Sequence, residues 1–346
     1  MKSEVKKSIK QMLDWLLIIT GIISLISFIA VIGFYLSEYW FGVFFIISEV
    51  TIIIYALQEI ARLFLHIEII EYLKSRLIEN LIALIVIFRM IFPDTSLWLL
   101  SFVMPELNIT EITLFLIALT QIAVVFSIFL RVLRVSNIFS GLNIHSGTII
   151  VISFFVLIII GTLLLLLPRS VEPDKTISIV DALFTSTSAV CVTGLVVFDT
   201  SAQFSGIGKL IIASLIQIGG LGLMTLTTFF AVLFAGGLSV RAKVFVQDLL
   251  SNQSINEGLT LLKRIFLFTF LVEFIGSILL YLSLSGSLIN IDKELLYKCI
   301  FHSISAFCNA GFSVYSENLM YQSIQSNYLY LSVIMFLIVL GGIGFY

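Results

Sequence analysis

Long apolar runs broken by short polar ones set the pattern of this 346-residue chain. Runs at Trp15–Leu36, Phe41–Leu65, Leu81–Phe102, Ile112–Leu133, Thr148–Leu167, Ile207–Phe234, Leu259–Leu282 and Tyr328–Tyr346 stand out. Each is near the roughly 20 residues a helix needs to cross the hydrocarbon core of a bilayer. Two further stretches, Ile177–Ser188 and Glu294–Ser305, are too short and too polar to span. They suit re-entrant helices, which hydrocarbon tolerates only where protein or water covers their ends. The pattern predicts an all-α integral membrane protein, opening with a four-helix bundle over residues 1–146. Two units follow, over residues 147–237 and 238–346, each a span, a re-entrant helix, an extended segment and a second span.

An internal repeat underlies those two units. Asp181–Phe198 reads DALFTSTSAVCVTGLVVF and Lys298–Tyr315 reads KCIFHSISAFCNAGFSVY. Shifted by 117 residues (181 to 298), Phe184 falls on Phe301, Ser186 on Ser303, Ser188 on Ser305 and Cys191 on Cys308. Gly194 falls on Gly311 and Val197 on Val314. The spans that follow carry QIGGLG at Gln217–Gly222 and VLGGIG at Val339–Gly344. Paired small residues let helices approach closely in lipid, and duplicated units of this kind place a site between the copies.

Composition and charge narrow the class. The chain is 60% hydrophobic and 12% charged, with mean hydropathy +1.15, far from the roughly 45–50% apolar and about 25% charged make-up of soluble domains. Orientation follows the placement of Lys and Arg rather than the net charge of −2. With the N-terminus inside, the cytoplasmic stretches hold Lys2, Lys6, Lys7, Lys10, Lys74, Arg76, Arg131, Arg134, Arg241, Lys243, Lys263 and Arg264. The outer loops hold only Arg169, Lys175, Lys209, Lys293 and Lys298, the positive-inside pattern. Acidic residues of those loops (Glu172, Asp174, Asp181, Asp199, Asp292, Glu294, Glu317) read either as a means of concentrating cations at a pore mouth or as solvated loop charge.

The N-terminal MKSEVKKSIKQ leads into an apolar run longer than the about 7–15-residue core of a secretory signal, so an uncleaved first helix starting in the cytoplasm is expected. No basic tract suits nucleic acid. Cys191, Cys299 and Cys308 lack disulfide or zinc spacing and read as small apolar filler. No nucleophile–base pair, metal-ligand cluster or phosphate-binding glycine loop is visible in the sequence, so neither an enzyme nor a covalently held cofactor is expected.

SAVCVTGL at Ser188–Leu195, SAFCNAGFS at Ser305–Ser313 and the glycine pairs after them resemble the Trk/Ktr/HKT family of potassium uptake proteins, over roughly residues 147–346. The resemblance implies four such units around one pore, with one glycine of each filter setting selectivity. It also implies peripheral cytoplasmic nucleotide-binding subunits that control the gate, and a prokaryotic inner membrane. By it, Gly194 and Gly311 are the filter glycines and K+ is the transported ion. A physical account stands beside it. An entering cation must shed water, and the carbonyls of Val190, Cys191, Val192 and Thr193, with those of Phe307, Cys308, Asn309 and Ala310, are placed to replace it. Glycine serves where the backbone turns without a Cβ, and the re-entrant helices aim their partly negative C-terminal ends at the cavity.

Two of the family's four units are present, and the sequence stops at Tyr346 within an apolar run. Truncation is the expectation, because apolar helices usually end in polar or basic anchors; pairing of two chains as a homodimer is the alternative. Sodium or mixed-cation transport competes with potassium uptake, as does a non-conducting fragment acting as a membrane interaction protein.

Residues 1–146 lie outside the resemblance. Glu49 and Glu59 on the second span, with Arg131 and Arg134 at the end of the fourth, resemble parts of a voltage sensor. There, each charge moved through the field is worth about 2.3 kcal/mol per 100 mV. Arginines near the cytoplasmic end also serve as snorkelling anchors, and a structural or regulatory bundle is expected. Arg89, in the third span, is expected to pair with Glu49 or Glu59. Glu273, an isolated membrane carboxylate, reads as a cation or proton site or as a hydrogen-bond partner for a neighbouring helix. His302 stands where the first unit has Thr185, which argues for packing, and GGLGLMT reads as a packing element.

Overall fold

The computed structural model describes residues 2–65, 77–92, 95, 116–117, 119–125, 146–221, 255–285 and 292–343. They are helical nearly throughout, and the β-pairing among them is an isolated antiparallel bridge between Val171 and Phe204. The chain divides into two compact units, Met1–Ser136 and Asn137–Tyr346. Among the described residues, Met12–Gly33, Glu38–Leu63 and Arg264–Ser285 are helices long and apolar enough to cross a membrane. Apolar side chains such as Ile22, Ile46, Phe270 and Phe274 stand exposed on them. Water tolerates contiguous apolar surface poorly, and a lipid phase accepts it.

The N-terminal unit contains α1 (Lys2–Gly33), α2 (Glu38–Leu65), α3 (Leu77–Ile91) and helical residues 119–125. Leu17, Ile52, Tyr55, Ala56, Val86 and Val124 form its core. Several polar groups inside it find partners, which offsets the cost of burying them. Ser27 and Ser48 share a 2.6 Å hydrogen bond, and Gln58 donates to Thr20 at 3.2 Å. The Arg62 guanidinium donates to Asp14 at 2.7 Å and to the Leu13 carbonyl at 2.8 Å. Of its two expected partners, Arg89 pairs with Glu49, and it also donates to Thr120 at 2.8 Å. Glu59 instead lies 3.9 Å from Arg62. Arg131, Arg134, His66 and His145 lie outside the described residues.

The second unit runs through α4 (Ser146–Leu165), α5 (Ile179–Val190), α6 (Thr200–Gln203) and α7 (Gly206–Gly220). It continues through α8 (Ile255–Ser285), α9 (Lys293–Phe307), α10 (Gln322–Gln325) and α11 (Tyr328–Ile343). The second quartet repeats the first, with a register that drifts along the chain. Gly161 of α4 matches Gly276 of α8 at an offset of 115, since each gives its room to a serine of the following helix, Ser186 and Ser303. The helices α5 and α9 keep the offset of 117, whereas α6 and α10 match at 122 (200 to 322). The second repeat is therefore two residues longer before α9 and five longer after it, where a 3-10 turn stands at Asn318–Met320.

Side-chain caps open four of these helices. Ser178 accepts from the Asp181 N–H to open α5, and Asp292 accepts from Glu294 and Leu295 to open α9. Ser205 caps α7 and donates to the Arg169 carbonyl; its counterpart Asn327 caps α11 and donates to the Ser283 carbonyl. One cluster joins Val190, Phe204, Ile212 and Ile216 of the first repeat to Phe301, Phe307, Ala310 and Phe312 of the second, so the repeats share a core.

Candidate functional site

Both α5 and α9 end in the same turn. After α5, the Thr193 N–H bonds the Ser188 carbonyl at 2.9 Å and the Val192 N–H bonds the Ala189 carbonyl at 3.3 Å. After α9, Ala310 bonds Ser305 at 2.8 Å and Asn309 bonds Ala306 at 3.0 Å. Paired bonds of this reach around a left-handed residue make a Schellman motif. The left-handed residues are Val192 at φ 57° and Asn309 at φ 59°. Asparagine tolerates that conformation, whereas a β-branched residue there is strained.

Two residues on, Gly194 and Gly311 both sit at φ 73°. They lie side by side. A Cβ built on Gly194 would come within 2.6 Å of the Ala310 carbonyl oxygen, and one on Gly311 within 3.5 Å of the Gly194 Cα. Two segments far apart in sequence thus meet backbone to backbone at two positions whose positive φ favours glycine, and at Gly194 a side chain would also lack room.

Helices α7 and α11 close in behind these turns. A Cβ on Gly219 would lie 2.1 Å from the Val190 carbonyl oxygen, and one on Gly341 would lie 1.7 Å from that of Phe307. Val190 and Phe307 are therefore the last residues of their helices, their carbonyls set against glycines of the next helix. Gly220 leaves room for Cys308, with a built Cβ 2.5 Å from its Cβ and Sγ. Oriented to satisfy both of its amide groups, Asn309 donates to the Ile338 carbonyl at 3.2 Å and accepts from the Gly342 N–H at 3.3 Å.

Serines brace the roots from the other side. Ser186 donates to the Ile158 carbonyl at 2.8 Å and Ser303 to that of Glu273 at 2.7 Å. Ser188 accepts from the Thr193 hydroxyl at 2.9 Å, while Ser305 donates to the Phe312 carbonyl at 2.7 Å. The sequence signalled these serines only as matched positions of the repeat. His302 is buried: its Nδ1–H bonds the Lys298 carbonyl at 2.7 Å, leaving Nε2 to accept from Ser313 at 2.9 Å, and its ring stacks on Tyr315. Glu273 is also buried, and accepts from the Gln217 amide at 2.9 Å. The part of GGLGLMT beyond Leu221 lies outside the described residues.

This twofold arrangement lies within residues 120–346, which match the model of the family described as TrkH, cation transport protein. The chain belongs to the TrkH cation transport family. The TrkH family is one of transporters rather than enzymes. Ktr system potassium uptake protein B of Bacillus subtilis (strain 168) is 40% identical over 204 residues. Potassium/sodium uptake protein NtpJ of Enterococcus hirae is 33% identical over 201 residues, and Ktr system potassium uptake protein B of Vibrio alginolyticus 37% over 197. Each alignment covers 57% of this TrkH-family chain and 42% to 43% of the relative, so the chain spans less than half the length of these relatives.

Proposed function

We propose that this chain supplies two repeats of a membrane pore for potassium uptake, with Gly194 and Gly311 at its selectivity filter. The observation that supports it most is the meeting of those glycines, both at φ 73°, each two residues beyond the left-handed turn that ends a short helix. In this reading α5 and α9 are re-entrant pore helices. Their C-terminal ends each present a partial negative charge of about half an electron toward the conduction path, favouring a cation there. A potassium ion exchanges its hydration shell for main-chain carbonyls. Those of Cys191, Val192 and Thr193 and of Cys308, Asn309 and Ala310 take this role. The carbonyls of Val190 and Phe307 anchor the filter roots on Gly219 and Gly341.

Further repeats complete the ring, from a second copy of the chain or from additional sequence, and a cytoplasmic nucleotide-binding subunit regulates it. The N-terminus lies in the cytoplasm, the membrane is the inner membrane, and residues 1–146 form a structural or regulatory bundle.

Rubidium uptake into liposomes holding the chain tests the reading, beside Gly194→Ser and empty vesicles. Uptake competed by K+, with weaker discrimination against Na+ in the variant, is expected. Unchanged ion competition in an active Gly194→Ser protein would sink the filter assignment, and uptake no greater than in empty vesicles would favour a non-conducting role. Transport of both ions is the second reading, supported by the relative named a potassium/sodium uptake protein; Na+ competing as well as K+ would favour it.

A further inference from the structure

We propose that Glu273 is a positioning residue for the second filter segment, acting through Gln217 and Cys308 at the junction of the two repeats. The inference rests on the filter reading above and deepens it. Glu273 sits on α8 and touches three parts of the site. Its carboxylate accepts from Gln217 of α7, in the other repeat, at 2.9 Å. The same oxygen lies 3.9 Å from the Cys308 thiol, at the end of α9 and immediately before Asn309. Its own carbonyl accepts from Ser303, in the C-terminal half of α9, at 2.7 Å. On the α7 side, Gly220 leaves no space for a Cβ against Cys308, so that residue is held between α7 and Glu273.

The repeat supplies the control. At the offset of 115, Glu273 falls on Ile158; at 122, Gln217 falls on Val339. Helix packing is met by apolar residues at both matched positions, so the repeat itself does not require the polar pair. A carboxylate in a membrane interior is expensive unless hydrogen-bonded, and such residues mark functional positions. Here the carboxylate lies beside the root of one filter segment and is fastened by the helix of the other. It fixes the register of Asn309–Gly311 against Gly194.

The test compares the reconstituted chain with E273Q, E273L, Q217L and the E273L/Q217L double variant. One readout is the alkylation rate of each cysteine, resolved by peptide mass spectrometry, which needs no transport. The other is rubidium uptake in competition with Na+. E273L and Q217L should each speed Cys308 alkylation about tenfold, the scale of a lost hydrogen bond to a charged group. The double variant should be no faster than the faster single one, because both act through one contact. Cys299, buried elsewhere, should stay protected, and E273Q, which keeps an acceptor, should behave as wild type. Discrimination against Na+ should fall in the same variants in the same order. Unchanged Cys308 protection in E273L and Q217L overturns the proposal. So does equal exposure of Cys299, which would mean general loosening, and so does undiminished discrimination in E273L. The altered cysteine pattern without rubidium uptake by wild type would instead sink the conduction reading and leave the positioning role standing.

Discussion

The two repeats share a backbone and differ in how side chains hold it. In the first, the left-handed turn residue is Val192, and the segment beyond it is open: Leu195 is 63% exposed, with Val196 and Val197 exposed beside it. In the second, the turn residue is Asn309, tied by two hydrogen bonds to α11, and Phe312 is 2% exposed. Ser313 is held by His302, and the first repeat has Val196 and Thr185 at the matching positions. The inserted turn at Asn318–Met320 belongs to the second repeat alone. Identical φ angles under such different support show that the Schellman turn and the glycine two residues on define the shape. The surrounding side chains determine how firmly it is held.

Substitutions that treat the repeats unequally sharpen the comparison. The largest effect is expected at the glycine pairs. Gly220→Ala meets Cys308 at 2.5 Å, whereas Gly342→Ala meets nothing closer than 3.8 Å. The first should lower stability by about 1–3 kcal/mol, the usual range for overpacking, and the second should be tolerated, as read by thermal unfolding in detergent. Next come Gly194 and Gly311. Both pay about 1–2 kcal/mol for a side chain at positive φ, but only Gly194→Ala also drives a methyl group to 2.6 Å from a carbonyl oxygen. Gly194→Ala should therefore impair rubidium uptake more than Gly311→Ala, and equal losses would mean that the contact between the segments is unimportant. Asn309→Val, which removes the tether and leaves a β-branched residue in the left-handed turn, should destabilise by about 2 kcal/mol. The reverse exchange, Val192→Asn, should raise the unfolding temperature slightly, by about 1 kcal/mol of relieved strain. A neutral result there would show that the first turn is not strained.

The membrane character and helical build were legible because apolar length is a strong signal. The short helices were legible too: α5 runs Ile179–Val190 against an expected Ile177–Ser188, and α9 runs Lys293–Phe307 against Glu294–Ser305. Their repeat was visible because one offset holds from Asp181 to Phe198. Gly161 and Gly276 escaped notice because their offset differs by two and each is a lone glycine in an apolar run. The hydrogen-bond reading of Glu273 is the one the structure shows, but nothing in the sequence pointed to Gln217, 56 residues away, as its partner. Nothing in the sequence showed that Gly219 and Gly341 lie against the carbonyls of Val190 and Phe307. A glycine's empty side is visible only when something occupies it.

Gly219 faces Val190 of its own repeat, and Gly220 faces Cys308 of the other. Neighbouring positions on an α-helix point about 100° apart, so two adjacent glycines open two walls of one rod. A single glycine would admit one strand and hold the other off by the thickness of a methyl group. The dipeptide is a corner joint, cut into the helix where two beams meet it from different sides.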